Sequence, residues 1–211
     1  IKIIGIYIRA PKAFTIMVKD STIKTIKDLN GKKVVGPKGT ILHQLLLGAL
    51  VKENLKADDV QFSNMTIPNG VSALLSGKVD EALVAGPSVA SAQKNGARIL
   101  TTGDGILDAT IVIAADGKFL EKYPDIAKKY LAVHQKSLQY MNDNKDETYK
   151  ITASETKLTL PQVKSMYSLY DFNPKITQKD ISELTKTQDF LKKNGMLTKT
   201  IDIKSLIVNL K

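Results

Sequence analysis

The chain opens with a nearly unbroken apolar run, Ile3–Ile8, and a second follows at Phe14–Val18, with Arg9-Ala10-Pro11-Lys12 between them. Short runs rich in β-branched residues and bounded by breakers predict strands, and Pro11 ends the first. Ile23–Leu29 reads as a short amphipathic turn, closed by Asn30-Gly31. From residue 33 a rhythm sets in. Lys33–Gly36 predicts a strand and Thr40–Glu53 a helix; Val60–Met65 a strand and Val71–Ser76 a helix; Asp80–Ala85 a strand and Ser88–Lys94 a helix; Arg98–Thr101 a fourth strand. This alternation predicts βαβ units and a mostly parallel sheet with helices on both faces. Ile111–Ala115 predicts one more strand, after which the pattern turns helical. Ala127, Leu131, His134, Leu138 and Met141 share one face of a helix that follows Pro124. Further helices are predicted near Leu160–Leu169, Gln178–Asn194 and Ile203–Leu210, with Asn194-Gly195 as a C-terminal stop. Residues 20–108 thus form a compact α/β region, and residues 109–211 a mainly helical one.

A length of 211 residues suits one large domain or two small ones. The absence of cysteine removes disulfides, thiolate metal sites and Cys nucleophiles together. The formal charge of +10 and pI of about 9.5 invite a nucleic-acid reading. The type of base argues against it. All but Arg9 and Arg98 of the 31 basic residues are lysines, scattered among acids, without the guanidinium forks that grip phosphate and read guanine. A solvated surface and no nucleic-acid partner are expected. No apolar run approaches the roughly 20 residues that span a bilayer. The chain begins without Met, in a strand already under way, and reads as a piece of something longer, so the lack of a leader says little about location.

Gly36-Pro37-Lys38-Gly39-Thr40 joins a strand to the apolar block Ile41–Leu50. The first N–H groups of a helix have no internal partners and its dipole makes that end positive, so such a junction can hold a carboxylate, sulfonate or phosphate. The competing reading is that Thr40 simply caps its own helix. The spacing is not that of a Walker loop. His43 and His134 lie far apart without a His/Glu motif, so structural roles or cleft hydrogen bonding are expected and no metal site. No G-x-S-x-G occurs, and Asp58-Asp59 sits in a polar turn. No catalytic residue and no cofactor is assigned.

Asp28-Leu29-Asn30-Gly31-Lys32-Lys33-Val34, then Gly39-Thr40, then Ala73-Leu74-Leu75-Ser76-Gly77-Lys78-Val79-Asp80, then Gly86-Pro87, resemble in order and spacing the solute-binding proteins of ABC importers, of the nitrate, sulfonate and taurine type. Phe119–Pro124 and Thr187–Gly195 agree with it. The resemblance implies an α/β, type II periplasmic-binding-protein fold of two lobes and a hinge, closing on a small anionic solute in the cleft between them. The first lobe would be residues 1–19 and 109–211, with hinge strands 10–19 and 109–115; the second would be 20–108. The βαβαβ portion that normally opens the first lobe is missing from this chain. The resemblance makes Gly39, Thr40 and Ile41 cleft residues, with Tyr7, Arg9, Asn64, Gly86 and Pro87 as neighbours. It implies extracytoplasmic capture of a sulfonate or nitrate-like anion, free in the periplasm or lipid-anchored, and its delivery to an ABC permease, with no chemistry on the ligand. Alternatives on the same fold are the effector-binding domain of a transcriptional regulator and an enzyme such as a pyrimidine-synthesis relative. Without the upstream portion, the unpaired N-terminal strand and the apolar faces of the C-terminal helices are expected either to drive self-association or to be poorly ordered, with weak solute affinity, while residues 20–108 stay folded on a complete sheet.

Overall fold

In the computed structural model, residues 1–210 are described. In chain order the elements are β1 (Lys2–Arg9), β2 (Phe14–Val18), β3 (Lys33–Gly36), α1 (Ile41–Lys52), β4 (Gln61–Asn64), α2 (Ile67–Leu75), β5 (Glu81–Ala85), α3 (Pro87–Lys94), β6 (Arg98–Thr102) and β7 (Thr110–Ala115). Then come α4 (Gly117–Lys122), α5 (Pro124–Asp143), α6 (Lys145–Thr156), α7 (Leu160–Tyr167), α8 (Gln178–Lys193) and α9 (Ile203–Leu206). Contacts divide the chain into one unit of Ile1–Arg9 with Thr110–Lys211, and a second of Ala10–Ala109.

The second unit is built on a five-stranded sheet of order β4-β3-β5-β2-β6. β3 runs parallel to β4 and β5, while β2 lies antiparallel between β5 and β6. The sheet is therefore mixed rather than mostly parallel. Residues 10–19, expected with the first lobe, group with this unit, because β2 supplies the strand that joins β6 to the rest. A sheet of residues 20–108 alone is not complete. Strand alternation sorts the core onto two faces. Ile16, Val18, Val34 and Leu83 meet Leu42, Leu45, Leu46 and Leu50 of α1 on one face. Met17, Val35, Ala82 and Val84 meet Val71, Leu74 and Ala92 of α2 and α3 on the other. With both faces covered, the strands can be apolar throughout. Ile106 and Leu107 also pack against the α1 cluster, which accounts for a helix apolar nearly all round. Asp80 ties the entry of β5 to β3 by accepting the Lys33 N–H at 2.8 Å.

In the first unit β1 and β7 pair antiparallel, and Ile4 and Ile113 pack on Leu120 and Ala127. The other side of β1 is taken. Ile6 and Arg9 donate their N–H groups to the carbonyls of Pro174 and Asp171, and Val208 donates to Ile3. The open edge thus belongs to β7, not to the N-terminal strand: among the described residues β7 pairs with β1 alone. The bond of Val208 to Ile3 also ends α9 at Leu206, short of the Leu210 that periodicity predicted. On α5 the face of Ala127 and Leu131 is packed inward, while Ile126, Tyr130, Val133 and Tyr140 form an exposed apolar flank.

Candidate functional site

In an α/β sheet, ligands gather where strands end and helices begin. β3, β4 and β5 end at Gly36, Asn64 and Ala85, and α1, α2 and α3 start just beyond. Three helix N-termini therefore lie along one edge of the second unit's sheet, each presenting its positive end.

The turn after β3 is held by bonds that leave the start of α1 uncapped. Gly36 must lack a side chain, since a Cβ there would lie 2.5 Å from Leu83. Gly39 takes φ +76°, a left-handed conformation that a residue with a Cβ pays about 1–2 kcal/mol to adopt. The Lys38 N–H donates to Asn64 Oδ1 at 2.8 Å, fastening the turn to the end of β4. The Gly39 N–H donates to His43 Nδ1 at 3.3 Å. The Thr40 hydroxyl, the expected cap, donates instead to the Pro37 carbonyl at 2.8 Å, and α1 has no side-chain capping bond. Thr40 is exposed. The N–H groups of the first turn keep their capacity for an anion, as their own cap does not use it. Thr66 likewise gives α2 no side-chain capping bond.

His43 is the residue whose role the sequence left open. It is 8% exposed and stacks on Phe62 with ring centroids 4.6 Å apart. Burial, and then the charge of Lys38, push its pKa below the ordinary value. The imidazole is thus kept neutral with Nδ1 as acceptor, as the bond from Gly39 requires.

Of the residues singled out in the sequence, Gly39, Thr40, Ile41, Asn64, Gly86 and Pro87 lie at this edge. Gly86-Pro87 begins α3 at the end of β5. Tyr7 and Arg9 belong to the first unit. Tyr7 is half exposed and stacks on His134 at 5.6 Å. Arg9 is not a free cation. Nε and Nη2 grip both oxygens of Asp180 at 2.6 and 2.7 Å, while Nη1 and Nη2 also donate to Asp171 and to the carbonyls of Asn173 and Lys175. All five guanidinium donors are occupied by the protein, so Arg9 ties β1 to residues 171–180. The acidic partners at 171 and 180 follow it by more than 160 residues, and no local spacing announces them. Among the described residues, no group of three or more His, Asp or Glu side chains is placed to hold a metal ion.

The chain is 28% identical to a putative aliphatic sulfonates-binding protein of Escherichia coli, over 97% of this chain and 65% of the relative. It therefore spans about two thirds of that relative's length. The crystal structure of the periplasmic aliphatic sulphonate binding protein SsuA from Escherichia coli matches with a TM-score of 0.84 at 26% identity, over 98% of this chain and 72% of that one. The desulfurization enzyme DSZB has the same fold, with a TM-score of 0.73 at 16% identity, over 99% of this chain and 76% of that one. The fold is that of type II periplasmic binding proteins, and the resemblance to the sulfonate, nitrate and taurine group is borne out. With residues 1–148 matching its pattern, across both sheets and the turn after β3, the chain belongs to the NMT1/THI5-like family.

Proposed function

We propose that this chain is part of the extracytoplasmic solute-binding component of an ABC importer, which captures a small sulfonate or nitrate-like anion and delivers it to the membrane permease. The observation that carries the proposal is the start of α1. A buried apolar helix opens at a sheet edge with its capping hydroxyl turned away, and Asn64 and His43 brace the turn before it. Gly39, Thr40 and Ile41 are the proposed anion contacts. Asn64 is the brace, and Gly86-Pro87 is the next helix start along the edge. The relatives named for binding sulfonates support the class of solute, and the cationic Lys38 in the turn before α1 favours an anion over a cation.

The reading is of a binder and not an enzyme. Both histidines are employed in the fold, His43 on Gly39 and Phe62, His134 between Tyr7 and Tyr130. No helix of the described residues is long and apolar enough to cross a membrane. The test is native mass spectrometry of protein purified without added solute, followed by calorimetric titration with taurine, ethanesulfonate and nitrate. Retention or saturable binding of one of these anions is expected. Absence of heat with all three, together with turnover of any of them, would overturn the proposal.

A further inference from the structure

Glu81 opens β5 and is completely buried, and neither of its carboxyl oxygens has a hydrogen-bond partner. Its surroundings follow from the register. It lies opposite Val18 of β2 and Val34 of β3, and alternation along β5 turns it to the face of Leu83. That face is closed by Ile23, Leu29 and the leucines of α1. A carboxylate there would lack donors, a counter-charge and water at once, which the charged form cannot sustain.

The charged groups on the surrounding elements are directed elsewhere. Lys19, after β2, donates to the Leu75 carbonyl, and Asp20 accepts from Thr22. Lys32, just before β3 and half-buried, has its charge beside Asp20; Lys33 of β3 is exposed, and Asp80 takes its N–H. In the turn of residues 24–29, Asp28 accepts the N–H groups of Lys24 and Thr25, and Lys27 pairs with Glu53. On α1, His43 is bonded to Gly39 and Lys52 is exposed. α2 carries no charged residue, and Lys94 ends α3 in solvent. Arg98 of β6 stands in the same cross-strand row, beyond Val18, and donates to the carbonyls of Asp20 and Ile23.

We propose that the unit of Ala10–Ala109 is a proton-coupled fold, which encloses Glu81 as a neutral carboxylic acid, so that the contribution of Glu81 to its stability is greatest in acid. Burial pushes the Glu81 carboxyl well above its ordinary 4.5. The unfolded chain releases the proton above 4.5 and the folded unit keeps it. The contribution is thus fully present below 4.5 and declines as the pH rises toward the folded value. In that window one proton is released on opening, so the ratio of folded to open unit falls by up to about tenfold per pH unit. The proposal rests on packing and is independent of the anion-binding reading.

The experiment is hydrogen exchange of the β5 amides in the full chain between pH 5 and 8, beside E81Q and E81L, each corrected for the intrinsic pH dependence of exchange. The wild type is expected to open more readily with rising pH, by up to tenfold per unit, and both variants to lose that dependence. Parallel profiles in all three would overturn the proposal. If neither variant folds, the carboxyl carbons of the six glutamates, followed by NMR in the wild-type protein, decide the matter. One acid-form carbon persisting at neutral pH supports the proposal, and titration of all six near the ordinary value overturns it. Destabilisation by R98M that E81L relieves would mean an ionised Glu81 paired with Arg98, and would also overturn it.

Discussion

Arg9→Met separates the two roles open to this residue. Arg9 ends β1 and reaches the N-terminus of α8, where Asp180 is 2% exposed. Asp180 is also the N3 residue of the capping box that takes the N–H and hydroxyl of Thr177 at 2.7 and 2.6 Å. Burial works against the charge of Asp180, but the bonds from Arg9 and Thr177 outweigh it and hold the carboxyl at about 2, against an ordinary 3.8. A carboxyl so lowered contributes about 2 kcal/mol at neutral pH. The stability is present above 3.8 and is lost as the pH falls toward 2. Removing the guanidinium loses Arg9's share of this and leaves a buried carboxylate without its cation, so the expected cost is about 3 kcal/mol. Arg9→Lys restores a charge but not the two-pronged grip and should recover only part. Urea unfolding of the first unit from pH 2 to pH 7 measures both the loss and the slope. Arg9→Met should be less stable at pH 7 and lose less on acidification than the wild type. Stability within about 1 kcal/mol of wild type, with an unchanged acid slope and a lost anion affinity, would refute the reasoning and return Arg9 to the solute.

Gly39→Ala adds a Cβ that meets no atom within 4 Å, so its cost is conformational alone, about 1–2 kcal/mol; calorimetry should show weaker anion binding with the second unit still folded. His43 has its pKa lowered, so the bond from Gly39 is intact above the ordinary 6.5 and is lost as the pH falls through the lower folded value; the Gly39 amide should exchange faster there, and His43→Phe should remove the transition. β7 has an open edge, so light scattering should show concentration-dependent association of this chain. Ala114→Lys, which places a charge at an exposed position of that strand, should reduce it.

The periodic segments were legible from sequence because their burial is local in origin. β3 and β5 are bounded by turn residues, and the apolar stripes of α5 and α8 repeat at helical spacing. The Gly36–Thr40 junction was legible for the same reason: a strand, two glycines and a threonine before an apolar block leave few alternatives. What failed depended on partners distant in the chain. α6, KDETYKITASET, has little periodicity and is held by its neighbours α5 and α7. β2 gave no sign that it would enter the sheet antiparallel between β5 and β6. Thr40 has an N-cap's identity and position, but only the folded turn shows its hydroxyl on Pro37. That Arg9 is saturated by the protein could not be read from sequence, because the carboxylates that bind it lie at 171 and 180. Nothing in the sequence sets Glu81 apart from Asp80 beside it. The pairing of β5 with both β2 and β3 turned its carboxyl into an aliphatic layer, because a pleated strand assigns each side chain to a face whatever its polarity.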